Sequence, residues 1–196
     1  MKDIGYKILR PFVKLYYKTK FYPTIIGSEN IPSSGPVIFC GNHKHVHDQY
    51  NVMIVTNRVI HYMAKDEYFK GKHAWFYRMA GCISVDRTIH DEKAKSEAME
   101  VLLNGGCLGI FPEGTRNKTI GTKDEVDLLP FKYGAVSLAK KTNALIVPFG
   151  ISGEYTGKKG NLVTRIGKPF SVGDMTLDEA NTVLREKILK LMKNTK

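Results

Sequence analysis

No apolar run in this chain approaches the roughly 18–20 residues needed to cross a bilayer. The first residues also lack a signal peptide's uninterrupted apolar core and small-residue cleavage site. A soluble or membrane-peripheral protein is the expectation. Acidic residues are scarce: 19 aspartates and glutamates face 30 lysines and arginines, a formal net charge of +11. That balance favours anionic partners, whether nucleic acid, anionic lipid or phosphorylated metabolites, without choosing among them. Cysteine is scarce too. Cys40, Cys82 and Cys107 are odd in number, far apart and set in apolar runs, which argues against a disulfide framework and for reduced core residues of a cytosolic protein. There are no internal repeats, no low-complexity tracts and no nucleic-acid-binding module.

What is present suffices for one folded domain. The 196 residues are 42% hydrophobic, enough for a substantial core. Short apolar runs at 37–40, 59–64, 83–85, 108–111, 145–151 and 162–166 read as strands. Between them, 48–56, part of 66–80, 91–104 and 131–141 read as helices, with Gly105-Gly106 ending the third. Residues 23–36, rich in turn formers, read as a connection. Thr176 and Glu179 have capping-box spacing and open a C-terminal amphipathic helix. Alternating strands and helices predict a single α/β domain over 27–196, with a mostly parallel mixed sheet flanked by helices.

Residues 1–26 read as a separate amphipathic helical segment. At 100° per residue, Lys7, Arg10, Lys14 and Lys18 share about a quarter of the wheel. Ile4, Ile8, Leu9, Phe12, Leu15 and Tyr16 take much of the rest, and Pro11 predicts a kink or a split. A basic stripe beside an aromatic-rich apolar face suits the surface of an anionic membrane. It equally suits a surface helix packing its apolar side on the domain.

Two stretches carry chemistry. The first is Asn42-His43-Lys44-His45-Val46-His47-Asp48, directly after a predicted strand. His43 and Asp48 would lie about 140° apart on a regular helix, so they meet only if His43 sits on the strand-to-helix turn. There the carboxylate can accept the Nδ1 proton and leave Nε2 as a general base. No nucleophile-elbow serine or cysteine is present, so the substrate would supply its own hydroxyl. A zinc site for a hydrolase is the competing reading, because His43 and His47 have i, i+4 spacing. The run also resembles the metallo-β-lactamase signature with its last two residues exchanged. Yet His61, His73 and His90 lie in unlike contexts and complete no ligand set. His45 and His47 otherwise read as polar surface residues.

The second stretch, Phe111-Pro112-Glu113-Gly114-Thr115-Arg116, also follows a strand. Gly114 permits close backbone approach, Thr115 offers a hydroxyl, and Arg116 a bidentate cation for phosphate. Glu113 can hold Arg116 or bond a substrate hydroxyl. Arg87, after Val85-Asp86, is either a second anion ligand or half of a surface pair with Asp86. If the preceding strands are parallel, these motifs meet at one carboxyl edge.

Taken together, these blocks resemble the 1-acylglycerol-3-phosphate (lysophosphatidic acid) acyltransferases and their glycerolipid acyltransferase relatives. Asn42-His43 through Asp48 looks like their His-x-x-x-x-Asp motif. Gly81-Cys82-Ile83-Ser84-Val85-Asp86-Arg87, Phe111 through Arg116, and Val147-Pro148-Phe149-Gly150-Ile151 follow in the family's order, and Pro130 through Ala135 fits the run between the last two. The resemblance implies acyl transfer from a thioester, on coenzyme A or acyl carrier protein, to the sn-2 hydroxyl of lysophosphatidic acid. Glycerol 3-phosphate or an amino-lipid is the alternative acceptor. His43 and Asp48 would be catalytic, and Arg87, Glu113, Gly114, Thr115 and Arg116 would hold the phosphate. Lys65, where the family often carries a lysine, would steady an oxyanion or an anionic substrate group. No metal or other cofactor and no nucleic acid is implied. Lys7, Arg10, Phe12, Lys14 and Tyr16 would meet the membrane, placing the enzyme at the inner face of the cell membrane. The family often has a small hydroxyl residue in the first block, where this chain has His45 and His47.

Overall fold

The computed structural model of the chain describes residues 2–118 and 128–193. Its centre is the strand β2 (Val37–Gly41), every residue of which is buried. Period-2 geometry sends Val37 and Phe39 to one face and Ile38 and Cys40 to the other, so a strand apolar at every position needs cover on both sides. It lies parallel between β5 (Cys107–Ile110) and β6 (Leu145–Gly153). Outward from β5 come β3 (Ile60–Lys65) and β4 (Ile83–Val85), both parallel. Outward from β6 comes β7 (Leu162–Ile166), antiparallel to it, and then β1 (Thr24–Ile26) parallel to β7. The result is a seven-stranded mixed sheet in the order β1-β7-β6-β2-β5-β3-β4. This is the mostly parallel α/β architecture expected of the sequence.

Helices cover both faces. On one, α4 (Glu92–Leu103), α5 (Gly134–Thr142) and α6 (Leu177–Lys193) bury Ala98, Leu102, Val136, Leu184 and Ile188 against Ile38, Leu108 and Ile146. Their ends are chemically fixed. Asp91 Oδ1 accepts from Ala94 N at 2.9 Å to open α4. Thr176 and Glu179 close the expected capping box, at 2.7 and 3.2 Å, to open α6. Asn143, at φ 53°, terminates α5.

On the other face lie α1 (Lys2–Phe21), α2 (Tyr50–Met53) and α3 (Ala74–Met79). Here the structure departs from the sequence reading. The helix α1 runs unbroken through Pro11, neither split nor ended there. The expected helix over 48–56 contracts to the single turn of α2, because Asp48 and Asn51 spend their polar groups on neighbouring loops. Within the expected connection over 23–36, β1 forms as a three-residue edge strand, too short for an alternation pattern to show.

Helix α1 docks through Tyr6, Tyr17 and Phe21, at 3%, 0% and 5% exposure. Gly5 permits its approach to α3, since a Cβ there would lie 2.6 Å from the Met79 carbonyl oxygen. The row Ile4, Ile8, Phe12 and Leu15 faces away from the domain, at 54–70% exposure. It is thus the side bearing Tyr6, Tyr17 and Phe21, not this outward row, that packs on the domain. Arg10 leaves the expected membrane-facing set: half-buried, it donates from Nε to the Met53 carbonyl at 3.1 Å. Among the described residues, no helix is long and apolar enough to cross a membrane.

Candidate active site

The strands β2, β3, β4 and β5 are parallel, so the residues after them emerge at one carboxyl edge. The expected convergence is met: His43, Lys65, Arg87, Gly114, Thr115 and Arg116 all line one cavity of about 800 Å³. Its remaining wall is largely apolar, with Tyr6, Leu9 and Val13 from α1, and Phe76 and Tyr77 from α3. The lining carries Lys65, Arg87, Lys95, Arg116 and Lys132 against Asp86 and Asp91, and this excess of cations beside an apolar wall suits an anionic amphiphile.

His43 sits on the turn after β2. Its Nδ1 lies 2.8 Å from Asp48 Oδ2, and its ring stacks on Phe111 at 4.1 Å between centroids and 12° between planes. With Nδ1–H given to the carboxylate, Nε2 is the nitrogen left to accept a proton. Asp48 is fully buried and well supplied with donors. Its Oδ2 accepts also from the amides of Lys44 and His45, both at 2.7 Å, and its Oδ1 from the Tyr155 hydroxyl at 2.6 Å. The acid can therefore orient His43 without moving.

Glu113 requires a correction. It does not line the cavity and is only 4% exposed. Its Oε1 accepts from the His43 amide at 2.8 Å; its Oε2 accepts from the Leu129 amide at 3.0 Å and from Asn117 Nδ2 at 3.2 Å. Asn117 N in turn donates to the His43 carbonyl at 2.6 Å. Glu113 clamps the backbone of His43 from behind and does not face a ligand. Burial pushes its carboxyl above the usual range against the pull of those donors.

Beside it, Gly114 adopts φ +69°, the left-handed region that disfavours a side chain, and a Cβ there would stand 2.9 Å from Lys132 Cε. Lys132 also lines the cavity, a cation that residue-by-residue reading of the motifs missed. Its amide is bound to the Pro112 carbonyl at 2.9 Å, which ties the run after residue 130 to the motif turn. Arg87 reaches across to donate to the Gly114 carbonyl. Asp86 instead accepts from Thr88 N at 2.9 Å and Thr88 Oγ1 at 2.6 Å. The expected alternative, an Asp86–Arg87 pair, gives way to a link between two motifs.

His45 and His47 are not the polar surface residues expected. His45 stacks on Tyr155 at 4.2 Å, and His47 packs on Phe21 at 5.2 Å and Tyr50 at 5.6 Å. Burial lowers both imidazoles below their ordinary value, and their rings pack the loop that carries His43 and Asp48 against Tyr155, Tyr50 and Phe21 of α1. Among the described residues, no three His, Cys, Asp or Glu side chains converge to hold a metal ion. Cys40 and Cys107 are buried; burial pushes Cys107 up to about 11 and Cys82, on the cavity wall, up to about 12, far from a thiolate at neutral pH.

The family model described as "Acyltransferase" matches residues 23–152. The chain is 32% identical over 178 residues to the 1-acyl-sn-glycerol-3-phosphate acyltransferase of Bacillus subtilis, covering 86% of this chain and 84% of that protein. It is 30% identical to the chloroplastic Arabidopsis thaliana protein of the same activity and 29% identical to that of Saccharomyces cerevisiae, over 88% and 79% of its length. It spans about half the length of those two, 52% and 54%. The crystal structure of the 1-acyl-sn-glycerophosphate acyltransferase from Thermotoga maritima shares the fold, with a TM-score of 0.74 over 97% of this chain and 80% of that one, at 24% identity.

Proposed function

The chain belongs to the acyltransferase family, and from that premise we propose that it acylates the sn-2 hydroxyl of 1-acylglycerol 3-phosphate to give phosphatidic acid. The observation that carries the proposal is the His43–Asp48 pair at 2.8 Å, with His43 on the wall of a cavity lined by an excess of cations and a largely apolar remainder. His43 Nε2 takes the acceptor's hydroxyl proton as the oxygen attacks the thioester carbonyl. Asp48 stabilises the imidazolium that forms. As the tetrahedral intermediate collapses, the carbon–sulfur bond breaks, the proton passes from Nε2 to the leaving sulfur, and free thiol departs.

Arg87, Arg116 and Lys132 supply the charge for the acceptor's phosphate, with Thr115 as a hydroxyl donor and Gly114 leaving the backbone open to close approach. Lys65, at the end of β3 on the cavity wall, would steady the oxyanion. The acyl chains take the apolar wall between α1 and α3.

The donor in this reading is acyl-coenzyme A or acyl carrier protein, either of which suits a chain of net charge +11. In this reading α1 is the membrane-associating element; the boundary expected at residue 26 does not hold, because β1 belongs to the sheet and Tyr6, Leu9 and Val13 of α1 line the cavity. Support comes from the outward apolar row of α1 and from Trp75 and Met79 on the neighbouring α3, 57% and 37% exposed. In this reading Lys7, Lys14 and Lys18 would meet anionic headgroups beside that row, with the protein at the inner face of the cell membrane.

The test is a thiol-release assay crossing both donors with lysophosphatidic acid and glycerol 3-phosphate, with the product identified by mass spectrometry. Phosphatidic acid from lysophosphatidic acid is the expected product. Thiol release with glycerol 3-phosphate alone would move the assignment to that acceptor, and no thiol release with either would overturn it.

A further inference from the structure

The carboxylate of Asp48 is held on both oxygens, and the second holder lies outside the matched motifs. Tyr155 stands beyond residues 23–152, just after β6, and gives its hydroxyl to Asp48 Oδ1 at 2.6 Å. Its ring is fixed by stacking on His45 at 4.2 Å and by the edge of Phe21 at 5.3 Å. Behind it, Asn51 Nδ2 donates to Tyr155 Oη at 3.0 Å, and Tyr17 donates to Asn51 Oδ1 at 2.8 Å. Tyr17, Asn51 and Asp48 are all 0% exposed. The second Asn51 amide hydrogen goes to the Asp48 carbonyl at 3.1 Å.

The direction of each bond follows from the inventory of protons. Tyr155 has one, and it goes to the carboxylate; its oxygen then accepts from the Asn51 amide end, with the Tyr17 hydroxyl also within reach of it. The carbonyl end of Asn51 therefore faces Tyr17. Burial, with the Asp48 charge beside it, pushes the Tyr155 phenol far above its ordinary value, so it stays a donor. The chain runs one way, from α1 to the catalytic pair.

We propose that Tyr155 is a positioning residue for the reaction and that, through Asn51 and Tyr17, it couples the seating of α1 to the aim of His43. An aspartate has a broad terminal torsion, and donors on one oxygen leave its plane free to pivot. A donor on each oxygen fixes the plane, hence the Nδ1 bond and the direction of Nε2. Because the far end of the chain lies on the helix assigned to the membrane, a change in how α1 sits reaches the base through these bonds. The kinetic part of this inference rests on the acyltransfer reading above; the coupling itself does not.

The experiment compares Tyr155→Phe, Tyr17→Phe and the double variant, each of which keeps its ring. Thiol-release kinetics give kcat and KM, and ¹⁵N NMR of the substrate-free protein reads the His43 tautomer. Tyr155→Phe is expected to lower kcat on the order of tenfold with KM unchanged, the response to a misaimed base rather than a lost substrate contact. Its His43 spectrum should show mixed tautomers where the parent shows Nδ1–H. Tyr17→Phe should act in the same direction and less, and the double variant should be no worse than Tyr155→Phe alone. An unchanged kcat, a rise in KM alone, or additive losses in the double variant would overturn the proposal. If Tyr155→Phe does not fold, Tyr17→Phe carries the same readouts, and a parental kcat and tautomer there would overturn the coupling. If the parent transfers no acyl group at all, the functional reading fails, and the tautomer comparison still decides the coupling.

Discussion

Replacing Glu113 by glutamine changes one atom and separates a clamp from a ligand. In the parent, Oε1 receives the His43 amide at 2.8 Å, while Oε2 receives the Leu129 amide at 3.0 Å and Asn117 Nδ2 at 3.2 Å. Glutamine has one acceptor oxygen. Its amide nitrogen must face a donor whichever way it turns, and the less costly choice leaves the His43 amide unsatisfied. One orphaned buried donor costs about 1–3 kcal/mol. Alanine orphans all the donors but also removes a carboxylate whose burial opposes its own ionisation, which returns part of the loss. A net cost of about 2–4 kcal/mol is expected for Glu113→Ala. Urea denaturation reads both as shifts of midpoint at constant slope. Because the group released is the backbone of His43, kcat should fall alongside stability in Glu113→Gln. A variant with the parental midpoint and only a raised acceptor KM would refute the clamp and restore Glu113 to the phosphate site.

Three further outcomes follow from the same geometry. Burial holds the His45 and His47 imidazoles below the unfolded value of 6.5, so the unfolded chain binds more protons below that pH. Their contribution to stability is therefore intact above pH 6.5 and lost as pH falls from there through the folded values; urea midpoints from pH 7.5 to 5.5 should decline less steeply in His47→Phe than in the parent. Phe12→Ser with Leu15→Ser removes side chains 70% and 66% exposed, and should leave stability nearly unchanged. Sedimentation with anionic vesicles should show binding weakened by about 3 kcal/mol, on the order of a hundredfold; unchanged binding would remove α1 from the interface. Gly114→Ala forces a side chain into φ +69° and against Lys132, and should cost about 1–2 kcal/mol while raising the acceptor KM; a parental KM would place the phosphate elsewhere.

The motifs were legible because each stands at a strand end, where a parallel sheet gathers loops whatever lies between them. His43 and Asp48 could be paired in advance because the five-residue spacing works on a turn and on no regular helix. The inward direction of Glu113 was not legible: a charged residue in a turn reads as exposed, and two of its three donors come from residues 43 and 129, 70 and 16 positions away. Tyr155 was invisible for the same reason, being an isolated tyrosine 107 positions from the carboxylate it holds. The helix α1 shows where periodicity misleads. Its aliphatic row marks an apolar side as clearly as any core stripe, but the buried contacts are made by Tyr6, Tyr17 and Phe21, and Arg10 turns toward α2. A helix that is apolar on both sides carries no signal saying which side meets the domain. His45 and His47 misled in another way: three histidines in alternation suggest ligands or surface, and only the packing of Phe21, Tyr50 and Tyr155 makes two of them half-buried ring contacts.

The central claim is that His43 is the base that activates the acceptor hydroxyl. Its most direct test is the rate of phosphatidic acid formation by His43→Ala, measured beside its urea midpoint and vesicle binding. The account predicts a loss of about 10²–10⁴-fold in kcat, with folding and vesicle binding retained. A folded His43→Ala protein that still acylates lysophosphatidic acid within a few-fold of the parent rate would contradict it.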